Sequence, residues 1–148
     1  MVDRDVLQRK ILFIEKTLWK LKKTAALSHQ EFMASFYFAD AAKYNLQAAI
    51  EAMIDIASHI VARKRWGIPT TSGEYIKLLT EHGVFYSEQG LRFQRMVRFR
   101  NRIVHLYQEV DEEQLYQILQ QDLGDFSAFI QAITRAYLAG PGKKSPAE

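Results

Sequence analysis

The chain has 148 residues, enough to bury one core without disulfide or metal staples. Hydrophobic residues make up 48% and charged residues 25%, an ordinary globular balance, and no apolar run approaches the ~20 residues that cross a bilayer. Cysteine is absent, which excludes disulfides and thiolate metal sites, and Met-Val-Asp-Arg-Asp at the start has no secretory pattern, so a cytoplasmic protein away from membranes is expected.

The apolar pattern is helical from one end to the other. Leu7, Ile11, Ile14, Leu18 and Leu21 step by four and three, giving the first helix one apolar stripe. Ser28, with Glu31 three residues on, makes a capping box for a second, long helix. Phe32, Phe36, Ala39, Leu46, Ile50, Met53, Ala57 and Ile60 hold its register to about Arg63, broken only where Lys43 falls on the seam. Gly67 and Pro69 end that helix, and Thr70-Thr71-Ser72 caps a short one over Glu74–Glu81 that stops at Gly83. Ser87 opens the next, in which Met96, Phe99, Ile103, Leu106 and Val110 share a face. Asp111, with Gln114 three on, starts the last helical segment, carrying Leu115, Ile118, Leu119, Leu123, Phe126, Phe129, Ile130 and Ile133, with Gly124 as a weak point. No useful stretch alternates with period two. The pattern predicts an all-α fold: a single bundle of about five helices over residues 1–139, then a disordered tail over 140–148 opened by Gly140-Pro141-Gly142.

The net charge of +3 is too small to imply a nucleic-acid partner, but its placement is uneven. Between Gln89 and Gln108 stand Arg92, Arg95, Arg98, Arg100 and Arg102 without an acid, and Glu109 to Asp125 holds only acids among its charges. Such a pair of segments serves an anionic ligand or joins elements of a bundle. Within the cationic helix, Arg100, His105 and Tyr107 stand at R-x4-H-x-Y spacing. On an ideal helix, Asn101 and His105 lie about 40° apart, so Asn101 is expected to hydrogen-bond the imidazole and fix its tautomer. Arg102 flanks the same imidazole. Arg100 projects about 140° from His105, on the side of Tyr107, so one regular helix does not bring the two groups together. Either Arg100 reaches around, or the helix is irregular, or a second subunit completes the site. The chemistry that suits these groups is metal-free RNA cleavage. An imidazole takes the ribose 2′-OH proton or protonates the departing 5′-oxygen, and a guanidinium stabilises the phosphate.

Three blocks in order make the sequence resemble the HepT-like branch of the HEPN superfamily. They are Ala48 to Ile60 on the long helix; Gly67-Ile68-Pro69 with Tyr75, Leu78, Leu79 and Gly83-Val84-Phe85; and Phe99 to Tyr107 followed by Val110-Asp111. The resemblance runs from about Val2 to Leu138. It implies a HEPN-like homodimer in which two R-x4-H motifs face one cleft, acting as a metal-independent endoribonuclease toxin on RNA without a cofactor. Arg100 and His105 would then be catalytic, Asn101 and Arg102 supporting, and Arg95 and Arg98 in reach of RNA. The partner it implies is a minimal nucleotidyltransferase antitoxin (MntA-like) that neutralises the toxin by transferring AMP to Tyr107. Leu106 departs from the family pattern, where many relatives have glycine, which puts the approach of the two helices in question. The rival reading is a noncatalytic HEPN module that binds nucleotides or scaffolds a nucleotidyltransferase, and a third is a purely structural dimer.

Other features carry blander expectations. Glu51, Asp55 and His59 line one helix face over about 12 Å, too extended for one metal ion, so interhelix contacts are expected, with Asp55 a candidate partner for an arginine of the cationic helix. Arg63, Lys64, Arg65 and Trp66 complement a helix C-terminus, and His29 and His82 read as ordinary polar residues.

Overall fold

The structure is a computed structural model that describes residues 1–139; the expected tail at 140–148 lies outside the described residues. Every element in it is helical, as the apolar periods require. Helix α1 (Arg4–Ala25) starts at Asp3, whose Oδ1 accepts from the backbone N–H of Asp5 at 2.9 Å. Its stripe of Leu7, Ile11, Ile14, Leu18 and Leu21 is buried against the long helix. At ~1.5–3 kcal/mol for each fully buried aliphatic side chain, this seam is a principal tie of the bundle.

The capping box at Ser28 and Glu31 forms, with both hydrogen bonds present, but it opens a single-turn helix, α2 (His29–Met33). The long helix begins separately as α3 (Phe36–Lys64). Ser35 breaks the two apart: it takes an extended conformation, and its Oγ accepts from the N–H of Tyr37 at 3.2 Å. A second serine cap thus competes with continuation, where the register of Phe32 and Phe36 suggested one unbroken helix. Helix α3 runs through the middle, touching α1 and α2 as well as helices α4 (Ser72–Glu81), α5 (Ser87–His105) and α6 (Glu112–Gln121). That position explains why its buried residues cover more than one stripe.

Gly83 terminates α4 with φ of 81°, as expected of a left-handed stop. Phe85, Phe93 and Phe129 pack edge to face or tilted at 4.8–5.4 Å, joining α5 to α7 (Gly124–Ile133). The last expected helix is two: α6, capped by Asp111, and α7, which starts at Gly124 and ends in a π turn over Thr134–Leu138. The separate α2 and the division at Gly124 account for seven α-helices among the described residues instead of about five.

At Gly90, α5 passes close against Thr80 of α4. A Cβ there would stand 2.3 Å from Thr80 Oγ1 and 2.9 Å from Thr80 Cγ2. Gly90→Ala gains ~1 kcal/mol of helix propensity but incurs ~1–3 kcal/mol of overpacking, so a net loss of stability is expected in urea unfolding. Thr80→Ala removes the two nearest atoms, and the double variant should recover most of that loss.

Candidate active site

Arg100 is held from both sides. It leaves α5 toward α3, where Glu51 Oε2 accepts from its Nε at 3.1 Å and its Nη2 at 2.8 Å. Gln47, one turn earlier on α3, donates to the same oxygen at 3.3 Å. Nη1 donates to Asn101 Oδ1 at 2.8 Å. A guanidinium carries five N–H donors, so with these three engaged one N–H remains on Nη1 and one on Nη2. Both remain available to donate to a phosphate.

The expected Asn101–His105 hydrogen bond is not made. Asn101 lies on the right side of the helix for it, but the charged guanidinium next door is the stronger donor and takes its oxygen. His105 is the last residue of α5, exposed, and its imidazole has no hydrogen-bond partner among the described residues. Arg102 turns to α6, donating from Nη1 to Gln114 Oε1 at 3.2 Å. Gln114 therefore serves α5, while the capping of α6 rests on Asp111, whose Oδ1 accepts from the N–H of Glu113 at 3.0 Å.

The motif also leaves the helix before it ends. Leu106 breaks α5 with φ −134° and ψ 44°, and Tyr107–Glu109 forms a 3-10 turn, so the expected run through Leu106 to Val110 stops at His105. Tyr107 is thereby freed from the ideal-helix position beside Arg100 and turns to the start of α3. Its hydroxyl donates to Asp40 Oδ1 at 3.0 Å, and its carbonyl accepts from Lys43 Nζ at 3.3 Å. The same ammonium lies 4.4 Å from the ring centroid, within cation–π range. Burial, then the hydrogen bond and charge of Asp40, push the Tyr107 phenol above its usual range. Asp40 and Glu51 are eleven residues apart on α3, roughly 16 Å along its axis, so the tyrosine and arginine occupy separate stations on one helix.

On its other flank α5 lines an open groove of about 670 Å³ toward α6 and α7. Arg95, Arg98 and Arg102 stand on its rim over a floor that includes Met96, Phe99 and Phe126, and Asn101 connects it to Arg100. The acidic segment answers only part of this charge. Arg92 Nε lies 3.2 Å from Asp125 Oδ1 but is not aligned to hydrogen-bond it. Burial raises the Asp125 carboxyl; Arg92 and Arg95 oppose that rise, while Asp122 adds to it.

The Glu51–Asp55–His59 row divides among three partners. Glu51, not Asp55, meets the arginine of α5, because Asp55 pairs with Lys10 of α1 at 2.9 Å. His59 Nε2 accepts from the N–H of Asp3 at 3.0 Å, and among the described residues no group of three His, Asp or Glu is placed to hold a metal. Burial, and after it Arg63, hold the His59 pKa below its ordinary 6.5, against the smaller upward pull of Asp3. The unfolded chain therefore binds more protons, so this contribution to stability is complete above pH 6.5 and lost as pH falls below it. The melting temperature of His59→Gln should fall less than that of the wild type between about pH 7.5 and pH 5.5. Of the basic-aromatic cluster and the other histidines, Trp66 stacks on His82 at 4.0 Å, Lys64 lies over Tyr137, and His29 meets Glu113 at 2.6 Å.

Asp40, Lys43 and Gln47 are the site neighbours that sequence reasoning passed over. One signal was visible: Lys43 sits on an apolar seam, and it is buried to 6% exposure.

A family model described as ribonuclease HepT-like matches residues 14–133. The chain is 32% identical over 129 residues to an mRNA nuclease HepT of Shewanella oneidensis, covering 87% of this chain and 96% of that one. It is 24% identical over 132 residues to a tRNA nuclease HepT of Aphanizomenon flos-aquae, covering 89% and 90%. Among solved structures it superposes with a TM-score of 0.84 on the tri-AMPylated Shewanella oneidensis HEPN toxin in complex with MNT antitoxin, at 30% identity over 90% of this chain and 100% of that one. A crystal structure of a toxin–antitoxin with AMP-PNP gives the same score, identity and coverage.

Proposed function

The chain belongs to the ribonuclease HepT-like family, and from that membership and the site geometry we propose that it is a metal-independent endoribonuclease toxin of the cytoplasm, neutralised by a nucleotidyltransferase antitoxin that transfers AMP to Tyr107. The observation that carries the reading is the state of Arg100: fixed by Glu51 and Asn101, with two N–H groups left for a phosphate. RNA is the substrate class; the two relatives are named for different RNAs, so the family alone does not choose the target.

In this reading Arg100 binds the scissile phosphate and stabilises the charge that grows on its oxygens. His105, exposed at the end of α5, moves the proton, taking it from the 2′-OH or giving it to the departing 5′-oxygen. Cleavage needs both transfers, and two copies of the motif facing one cleft supply two imidazoles. Val104 and Leu106, exposed to 42% and 47% on either side of His105, provide apolar surface for such a contact between copies. Arg95, Arg98 and Arg102 along the groove extend the positive charge for the flanking RNA. AMP esterified to Tyr107 adds bulk and negative charge two residues from His105, which repels the RNA backbone.

Induced expression of the wild type and of His105→Ala, each without the antitoxin, tests the reading. Growth arrest by the wild type alone is expected. Absence of His105-dependent cleavage by purified, AMP-free protein in the presence of a chelator would overturn it.

A further inference from the structure

Cleavage chemistry makes no use of the contacts that tie Tyr107 to α3. Asp40 and Lys43, three residues apart on one face of that helix, engage the tyrosine at its hydroxyl, its carbonyl and its ring. Lys43 is the more telling of the two. A buried ammonium is costly to maintain, yet among the described residues no carboxylate pairs with it, and its contacts are the Tyr107 carbonyl and π face. The turn at Tyr107–Glu109 is thus fastened by a charged side chain where an apolar one would fit the seam. A phenol is protonated at neutral pH, and burial and Asp40 raise the Tyr107 pKa further, so the hydroxyl needs an acceptor before it can act as a nucleophile.

We propose that Asp40 orients the Tyr107 hydroxyl for AMP transfer and accepts its proton, and that Lys43 is the positioning residue that holds the ring and main chain of the turn in place. This rests on the reading of Tyr107 as the modified residue. In the step, Tyr107 Oη bonds to the α-phosphorus of ATP, and the bond from that phosphorus to the oxygen bridging to the β-phosphate breaks. Pyrophosphate leaves with the electron pair, and the phenolic proton passes to Asp40 and then to water. The product has no hydroxyl to donate and sets a phosphate against the Asp40 carboxylate, so the modified ring is released from α3.

The test incubates full-length toxin with its cognate nucleotidyltransferase antitoxin and ATP labelled at the α-phosphate, and follows label in wild type, Asp40→Asn, Asp40→Glu, Lys43→Met and Tyr107→Phe. Asp40→Asn should lower kcat for incorporation at least about tenfold with KM for the toxin unchanged, and Asp40→Glu should recover part of the loss. Lys43→Met keeps the carboxylate, so its kcat should fall less than that of Asp40→Asn. Asp40 is exposed, so matched melting temperatures for its variants are expected to exclude a folding defect. Labelling of Asp40→Asn at the wild-type rate would overturn the assignment and leave modification of Tyr107 standing. A raised KM at unchanged kcat would overturn it too, making Asp40 a docking contact. Wild type without label, or Tyr107→Phe labelled like the wild type, would instead overturn the reading beneath it.

Discussion

Replacing His105 with alanine is expected to slow RNA cleavage by about 10²–10⁴-fold, the range that a positioned general acid or base contributes. The variant should fold and melt like the wild type. His105 is exposed at the last residue of α5, its imidazole makes no hydrogen bond among the described residues, and truncating it leaves no buried donor or acceptor behind. Loss of rate without loss of stability therefore isolates a chemical role. Single-turnover cleavage with antitoxin-free, AMP-free protein is the measurement. His29→Ala serves as the comparison, because His29 is bonded to Glu113 at 2.6 Å across α2 and α6 and has no place in the chemistry. A small, equal effect of the two substitutions would refute the assignment of His105.

Much of the fold follows from local pattern, and the failures occur where long-range or competing contacts decide. The stripe from Leu7 to Leu21 and the stop at Gly83 need only periodicity and one backbone preference, and both are as expected. The break at Ser35 depends on one cap prevailing over an apolar register that reads through it. The exit of the chain at Leu106 was hidden because Leu106 and Val110 continue the spacing of Ile103, although Leu106 is exposed and only Val110 is buried. That exit redirects Tyr107, so it alters the site more than any other departure. Spacing within one helix also assigned Asn101 to His105, when the decisive partner was the adjacent Arg100, itself anchored by Glu51 from another helix. Residues that act across helices leave little trace in one sequence. Lys43 is the exception, since a charge on a buried seam requires a partner that periodicity does not provide.

Arg100 gives the second large effect and separates charge from geometry. Arg100→Ala should lower cleavage about 10²–10³-fold, in line with removal of one preorganised donor to a developing oxyanion. Its cost in stability should be small. The Arg100–Glu51 pair keeps 23% and 38% of its side-chain surface exposed, and ion pairs open to solvent are worth only ~0–1 kcal/mol. Arg100→Lys retains the charge, yet a compact ammonium cannot hold Glu51 through two nitrogens and still present a fork to phosphate, so it should recover little of the rate. Glu51→Gln tests the cradle from the other side. It leaves the guanidinium in place but weakens the acceptor that fixes it, so a loss near tenfold is expected, smaller than for Arg100→Ala. If Glu51 acts only through Arg100, the double variant Glu51→Gln/Arg100→Ala should be no slower than Arg100→Ala alone. Additive losses would mean that Glu51 contributes to cleavage by a route that does not pass through the guanidinium.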